Sequence, residues 1–86
     1  MKTVDQMKTG IQQKHFDIVV ENSPTILIKI IQVIKRRRVE IHSLLATGYP
    51  GDRSLGKIKI ILETDAEKAR LIETQIQKLV DVIDIK

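Results

Sequence analysis

The fold is decided by residues 14–34, which read KHFDIVVENSPTILIKIIQVI. In residues 15–21, apolar residues alternate with His15, Asp17, Val19 and Glu21. This two-residue period predicts a strand with one buried face. That face is predicted to hold Phe16, Ile18 and Val20. Asn-Ser-Pro at 22–24 then favours a helix start, because Asn and Ser cap helices and Pro suits a first turn. After this point the apolar residues recur every three to four positions, which predicts a helix that ends at about Arg37. Its inner face is predicted to hold Leu27, Ile30, Ile31 and Ile34.

The rest of the chain supplies four more elements. Alternation predicts a second strand at 39–47 and a third at 57–63, joined by a loop at 48–56 that contains three Gly and one Pro. Thr64-Asp65-Ala66-Glu67 matches a capping box with Thr64 as the cap, so a second helix should follow. Its inner face is predicted to hold Ala69, Ile72, Ile76 and Leu79. Residues 80–85 are predicted to form the last strand.

The resulting order, β-α-β-β-α-β, predicts an α+β fold of the ferredoxin-like type. Two interlocked β-α-β units give a four-stranded antiparallel sheet with both helices on one face. We assign residues 14–86 to this single domain and residues 1–13, which carry no sustained period, to a flexible N-terminal tail. On the uncovered face, alternation predicts an apolar stripe that would serve as a contact surface. The stripe is predicted to hold Val19, Leu44, Ala46 and Ile61.

Composition narrows the class of function. The 86 residues contain no Cys and carry a net charge of +4, much of it in the basic run 35–38, which we interpret as a solvated helix end. A domain of this size buries only a modest fraction of its surface, so the monomer would be marginally stable. This predicts a homodimer or larger assembly. No apolar run is long enough for a membrane helix, so we expect a cytoplasmic protein. One Phe and one Tyr give no stacking platform for RNA, and His15 and His42 give neither a catalytic pair nor a metal cluster.

One feature favours recognition of a small ligand. Residues 22–25 precede a helix, whose first N–H groups and dipole favour a carboxylate. The signal is weak alone, because every helix has such an end.

Three segments resemble the ACT domains of acetolactate synthase small subunits. Residues 19–27 (VVENSPTIL) are similar to that family's Asn-x-Pro-Gly-Val-Leu loop, and residues 35–44 (KRRRVEIHSL) to its Arg-Arg-Gly-Phe-Asn-Ile-x-Ser-Leu strand. Residues 77–82 (QKLVDV) are similar to its Lys-Leu-Val-Asp-Val ending, which is the most specific of the three. The likeness spans residues 15–86. This sequence departs from the pattern at Thr25 and Arg38, where the family has Gly, and at Glu40, where it has Asn.

The resemblance implies a non-catalytic regulatory subunit of the short, single-domain type. Such a subunit pairs through its second strand, binds a branched-chain amino acid in many members, and activates a thiamine-diphosphate-dependent catalytic subunit. Thiamine diphosphate, FAD and Mg would belong to that catalytic subunit, and this chain would hold no cofactor or metal. The resemblance places an effector site, with weak or no valine feedback, at Asn22, Ser23, Thr25, Ile26 and Glu40. The contact residues for the partner or a second copy are predicted to be Val19, Val39, Ile41, Leu44 and Ile61.

A second hypothesis stays open at this point. The chain would then be a stand-alone ACT-type sensor of an amino acid that acts on some other partner. An adjacent gene for a thiamine-diphosphate enzyme would favour the first hypothesis over the second.

Overall fold

The computed structural model describes residues 11–86. Its helices and strands are β1 (Gln12–Glu21), α1 (Ile26–Arg36), β2 (Glu40–Tyr49), β3 (Asp52–Thr64), α2 (Ala66–Gln77) and β4 (Val82–Ile85). The predicted β-α-β-β-α-β order is confirmed. Strand β1 begins two residues earlier than predicted, so Gln12 and Gln13 belong to the sheet; of the predicted tail, residues 1–10 lie outside the described part of the chain.

The four strands form one antiparallel sheet in the order β2-β3-β1-β4, with both helices on one face. The inward residues of β1 are buried as the two-residue period predicts, with Ile18 only 1% exposed. Helix α1 turns Ile30 and Ile34 inward, while Leu27 and Ile31 are half-buried at the margin. The central strands β1 and β3 thus carry the core, and β2 and β4 are the edges.

The segment between β2 and β3 is a hairpin, and the prediction of a loop at 48–56 was wrong. The two strands pair as far as Gly48 opposite Gly56 and, after a shift in register, at Tyr49 opposite Asp52, so only Pro50 and Gly51 are left to make the turn. Gly51 has a φ of 81°, and Pro directly before such a residue is the arrangement that type II turns favour. The Gly and Pro content therefore marks a tight turn in a long hairpin.

A bulge in β2 reverses the predicted faces of Leu44 and Ala46. The register shifts between Ile41 and Ser43, so His42 is an extra residue with no partner of its own. Beyond it, Leu44 lies opposite Ile60, and residues opposite each other share one face of a sheet. Ile60 is buried against the helices, and Leu44 packs against the same core. Leu45, which is 59% exposed, occupies the open face in its place.

The caps of the two helices differ. Asp65 caps α2, since its carboxylate accepts a hydrogen bond of 2.7 Å from the backbone N–H of Lys68. The prediction of Thr64 as this cap was wrong by one residue, because Thr64 is the last residue of β3 and points into the core. Thr25 stands at the cap position of α1 but makes no side-chain capping bond.

Neither helix is long and apolar enough to cross a membrane.

Candidate functional site

A groove of about 330 Å³ lies where the loop between β1 and α1 meets the far end of β2. Its floor is formed by Val20 and Ile58, and its walls by residues 22–24, 46–48 and 56–57. Gly48 and Gly56 stand opposite each other across β2 and β3. A Cβ built on Gly48 meets nothing within 4 Å, so this strand position leaves open space beside the loop.

The loop is held in place by hydrogen bonds to the hairpin. The backbone N–H of Asn22 donates to the carbonyl of Ser54 at 2.9 Å, and its side-chain amide donates to the carbonyl of Arg53 at 3.3 Å. Asn22 therefore positions the loop with its N–H groups, and its side-chain carbonyl remains an acceptor. The sequence predicted Asn22 as a ligand contact and did not indicate this tether.

Ser23 and Thr25 interact mainly with each other. Their hydroxyl oxygens lie 3.4 Å apart, and the backbone N–H of Thr25 points at the Ser23 hydroxyl at the same distance. The backbone N–H of Ile26 donates to the Ser23 carbonyl at 3.3 Å. Because Thr25 does not cap α1, the next N–H groups of the first turn lack the bond that a capping side chain supplies. These amides are the feature of the groove best suited to a small anion.

The five predicted effector residues do not all come together. Asn22, Ser23 and Ile26 line the groove, and Thr25 adjoins it at the helix start. Glu40 lies at the opposite end of β2, beside a different cleft. Within one chain, Glu40 is therefore not part of the groove, because a strand of this length separates the two ends.

The predicted contact residues divide between the two faces of the sheet. Val19 and Ile61 are half-buried on the open face, where a contact role stays a prediction. Val39 is 6% exposed and belongs to the core. Ile41 and Leu44 pack against that core from β2. Val39 therefore faces its own core, whereas Ile41 and Leu44 are only partly buried on the edge strand β2. A contact role for these three residues stays a prediction.

Several features of the site were missed from the sequence. Gly48 and Gly56 bound the groove, and the Gly content of 48–56 was the signal for them, although it was interpreted as a loop. Leu45 was not predicted on the open face, because strict alternation of residues takes no account of the bulge at His42. His42 itself places Nδ1 3.5 Å from the Glu63 carboxylate, with about half of each side chain exposed. Residues 11–86 hold no cluster of acidic, His or Cys side chains that suits a metal ion.

Comparison with known proteins identifies the class. A family model described as the ACT domain matches residues 22–85. The chain belongs to the ACT domain family, whose members are regulatory modules. A search of curated proteins finds no match.

Solved structures agree with this assignment. The acetolactate synthase small subunit from Thermotoga maritima is 26% identical, with a TM-score of 0.76 over 88% of this chain and 47% of that one. This chain therefore spans about half of that protein. The ACT domain of a GTP pyrophosphokinase from Chlorobium tepidum has a TM-score of 0.75 at 13% identity, covering 88% of this chain and 96% of that one. The C-terminal domain of MgtC from Mycobacterium tuberculosis has a TM-score of 0.72 at 11% identity, covering 92% and 87%. The predicted fold is confirmed.

Proposed function

We propose that the chain is the regulatory small subunit of an acetolactate synthase, in branched-chain amino acid biosynthesis, and that it activates a thiamine-diphosphate-dependent catalytic subunit. The observation that carries this proposal is the 26% identity to the Thermotoga maritima small subunit. Two other structures with this fold match almost as well in shape but are only 11 to 13% identical in sequence. The fold alone does not distinguish the functions of these proteins. The higher sequence identity to the acetolactate synthase small subunit therefore favours that function.

The direct test is activation of the catalytic subunit. The catalytic subunit from the same organism is purified alone, and its turnover is measured with and without an excess of this chain. We expect a rise in turnover and co-elution of the two chains from a sizing column. Unchanged turnover together with separate elution would contradict the proposal.

Assembly into a dimer is part of this function. Strand β2 is a free edge, and exposed apolar side chains lie on it and on α1, which packs over it. Ile28 is 57% exposed and Tyr49 37%. Pairing of two β2 edges would satisfy their open backbone groups and cover part of this surface. Sedimentation should show a dimer at micromolar concentration, and a strict monomer would refute the pairing.

The open face of the sheet is the proposed docking surface for the catalytic subunit. Leu45, Ile61 and Val19 give it an apolar centre, and burying such side chains stabilises a complex by about 1.5 to 3 kcal/mol each. Leu45→Lys together with Ile61→Lys should weaken activation while the dimer and the melting temperature persist. Thr74→Lys together with Gln77→Lys, at exposed positions of α2 on the other side of the sheet, is the matched control for added charge. Unchanged activation by the double variant would exclude this face.

Any effector is expected to bind in the groove, and the proposed valine feedback is weak or absent. Thr25 stands where the family pattern has Gly, so a branched side chain occupies the approach to the helix N–H groups. We expect no change in melting temperature with millimolar valine, leucine or isoleucine. If an amino acid does bind, Gly48→Val should abolish its effect, because the added side chain enters open space in the groove.

A stand-alone amino-acid sensor is the second candidate. It is supported by the family match, which is to the ACT domain in general and fits a sensor with another partner equally well. This candidate predicts an amino acid that raises the melting temperature and a catalytic subunit that does not respond. The same two measurements therefore distinguish the candidates, and the cytoplasmic location expected of both stays a prediction.

A further inference from the structure

The open face of the sheet has a basic half, formed by β2 and β3. Lys57 and Lys59 of β3 follow the same alternation as Ile61, so their side chains lie on the open face. The residues of β2 beside them in the register are Thr47 and Leu45, which carry no charge. This half of the face therefore presents two cations next to apolar side chains.

The acidic half of the face is formed by β1 and β4. Asp17 and Glu21 share the outward alternation of Val19 on β1, and Asp84 of β4 lies opposite Val19. All three carboxylates are exposed. Lys86, whose backbone is hydrogen-bonded to that of Asp17, adds one cation at the margin. Because the carboxylates outnumber it, this half keeps a negative charge.

The charges of the two halves are not paired with each other. Asp17 lies directly opposite Lys59 in the register. Within residues 11–86, however, the single ion pair shorter than 4 Å joins His42 to Glu63. That pair engages the carboxylate that alternation along β3 would otherwise add to the basic half. Both sets of charges are therefore available to a partner.

The boundary between the two halves runs through the apolar centre of the face. A depression of about 270 Å³ lies there, and its lining includes Leu45, Ile61, Asp17 and Lys59. A side chain inserted from a partner meets apolar contacts and one charge of each sign. Charges around such a centre decide which surfaces can dock, because like charges brought together oppose the contact.

A second copy of the chain does not suit this face. Closed assemblies of two dimers have three perpendicular twofold axes. If the dimer pairs through β2, as proposed above, stacking two dimers by their open faces places each strand across from the same strand of the other dimer. Lys57 and Lys59 would then face the same two lysines, and Asp17 would face the carboxylates of another β1. Like charges would meet on both halves of the face.

We propose that the open face docks a surface of the opposite pattern on the catalytic subunit, with carboxylates over β3 and cations over β1 and β4. This inference rests on the proposed function and adds to it the chemistry of the partner surface. A partner surface of one sign would be attracted by one half and repelled by the other. A surface with both signs gains at both halves, and it is held in one orientation because half a turn brings like charges together.

The test measures binding of the full chain to the catalytic subunit from the same organism, and the concentration of the chain that gives half-maximal activation. The charge reversals are Lys59→Glu and Asp17→Lys, alone and combined. Arg70→Glu and Glu67→Lys, at exposed positions of α2 on the other side of the sheet, are the matched controls. The combined variant is decisive, because it restores opposite charges at two facing positions within the chain. Damage to the fold would be repaired in it, whereas repulsion from the partner would be largest.

We expect each single reversal to weaken binding by about tenfold and the combined variant to weaken it further, while the controls activate normally. High salt should weaken binding of the original chain, because it screens exposed charges. In the absence of the catalytic subunit, the original chain and all variants should sediment as dimers.

Tighter binding after either single reversal would show that the partner surface carries one sign of charge, and it would overturn the proposal. Normal binding by the combined variant would overturn it as well, and so would a tetramer of the original chain that the reversals dissociate. In each of these cases, activation by the original chain would leave the proposed function intact. A catalytic subunit that neither binds the original chain nor responds to it would refute the proposed function and this inference with it.

Discussion

The two ends of the sheet differ in how completely their polar groups are paired. At the groove end, the backbone N–H and the side-chain amide of Asn22 both donate to the hairpin, and Ser54 donates to the Asp52 carboxylate. At the cleft end, the Thr64 hydroxyl is buried without a partner and Arg38 adopts a left-handed backbone conformation. At the groove end these polar groups are paired, whereas the other end has one unpaired buried hydroxyl and one strained backbone conformation. Thr64 and Arg38 are therefore two positions at which a substitution is expected to raise stability.

The largest expected effect is a gain in stability from Thr64→Val. Leaving a buried hydroxyl unpaired costs about 1 to 3 kcal/mol, and an apolar group of the same shape removes this cost. We expect the free energy of unfolding to rise by about 1 to 2 kcal/mol in urea titration. Thr47→Val, at an exposed position of β2, is the control and should change it by less than about 0.5 kcal/mol. A loss of stability in Thr64→Val would show that the Thr64 hydroxyl is paired in solution. The two ends of the sheet would then differ only in the backbone conformation of Arg38.

Most of the fold was predictable from the sequence, because its strands and helices carry clear periods. The inward face of β1 was predicted correctly, and so was that of α2 as far as Ile76, because each period is uninterrupted there. Leu79, which was predicted for the same helix face, lies beyond the end of α2. Strand β2 was predicted correctly only as far as Ile41. The extra residue at His42 shifts the period by one, so Leu44 and Leu45 exchange faces. A bulge of this kind depends on the partner strand, and nothing in the residues of β2 alone reveals it.

The candidate site was less predictable, for two physical reasons. Thr64 and Asp65 are both cap formers, and only the need to turn one of them into the core decides that Asp65 caps the helix. The position of Glu40 depends on tertiary structure as well, because a sequence pattern does not state which end of a strand meets which loop. The strain at Arg38 had a sequence signal, since it stands where the family pattern has glycine, but that signal was interpreted only as a lost residue.

The two helix starts provide the next test of the contrast. Asp65→Ala removes the 2.7 Å hydrogen bond to the N–H of Lys68 and should lower the free energy of unfolding by about 1 kcal/mol. Thr25→Ala should lower it by only a few tenths of a kcal/mol, because Thr25 makes no capping bond. Thermal unfolding of the two variants measures the difference. Equal losses would mean that Thr25 caps α1 in solution and that its first-turn amides are not available.

Two positions where the family pattern has glycine should respond in opposite directions. Arg38→Gly relieves the left-handed conformation and should raise the free energy of unfolding by about 0.5 to 1 kcal/mol, after the greater chain entropy of glycine is counted. Thr25 has a φ of −105°, which any residue adopts, so Thr25→Gly brings no relief and should lower stability by a few tenths. Urea titration gives both values. A loss of stability in Arg38→Gly would show that the arginine side chain makes stabilising contacts that outweigh its strain.

The smallest expected effect lies at the groove end, in the titration of Asp52. Its carboxylate accepts hydrogen bonds from the Ser54 hydroxyl at 2.6 Å and from the Ser54 backbone N–H at 2.9 Å. These bonds, with the hydroxyl contributing most, lower the pKa of Asp52 below its ordinary value of 3.8.

A group whose pKa is lowered by folding binds its proton more weakly in the folded state, so its contribution to stability is present above the ordinary pKa. That contribution is lost as the pH falls through the lower folded value. The side chain is fully exposed, so solvent screens the effect and the readout is the titration itself, followed by carboxyl carbon shifts in NMR. Ser54→Ala removes the larger cause and should move the midpoint back toward 3.8, with the remaining backbone bond keeping it somewhat below. An unchanged midpoint in Ser54→Ala would mean that the Ser54 hydroxyl does not bond to Asp52 in solution, and the pairing that distinguishes the groove end would be weaker than the structure indicates.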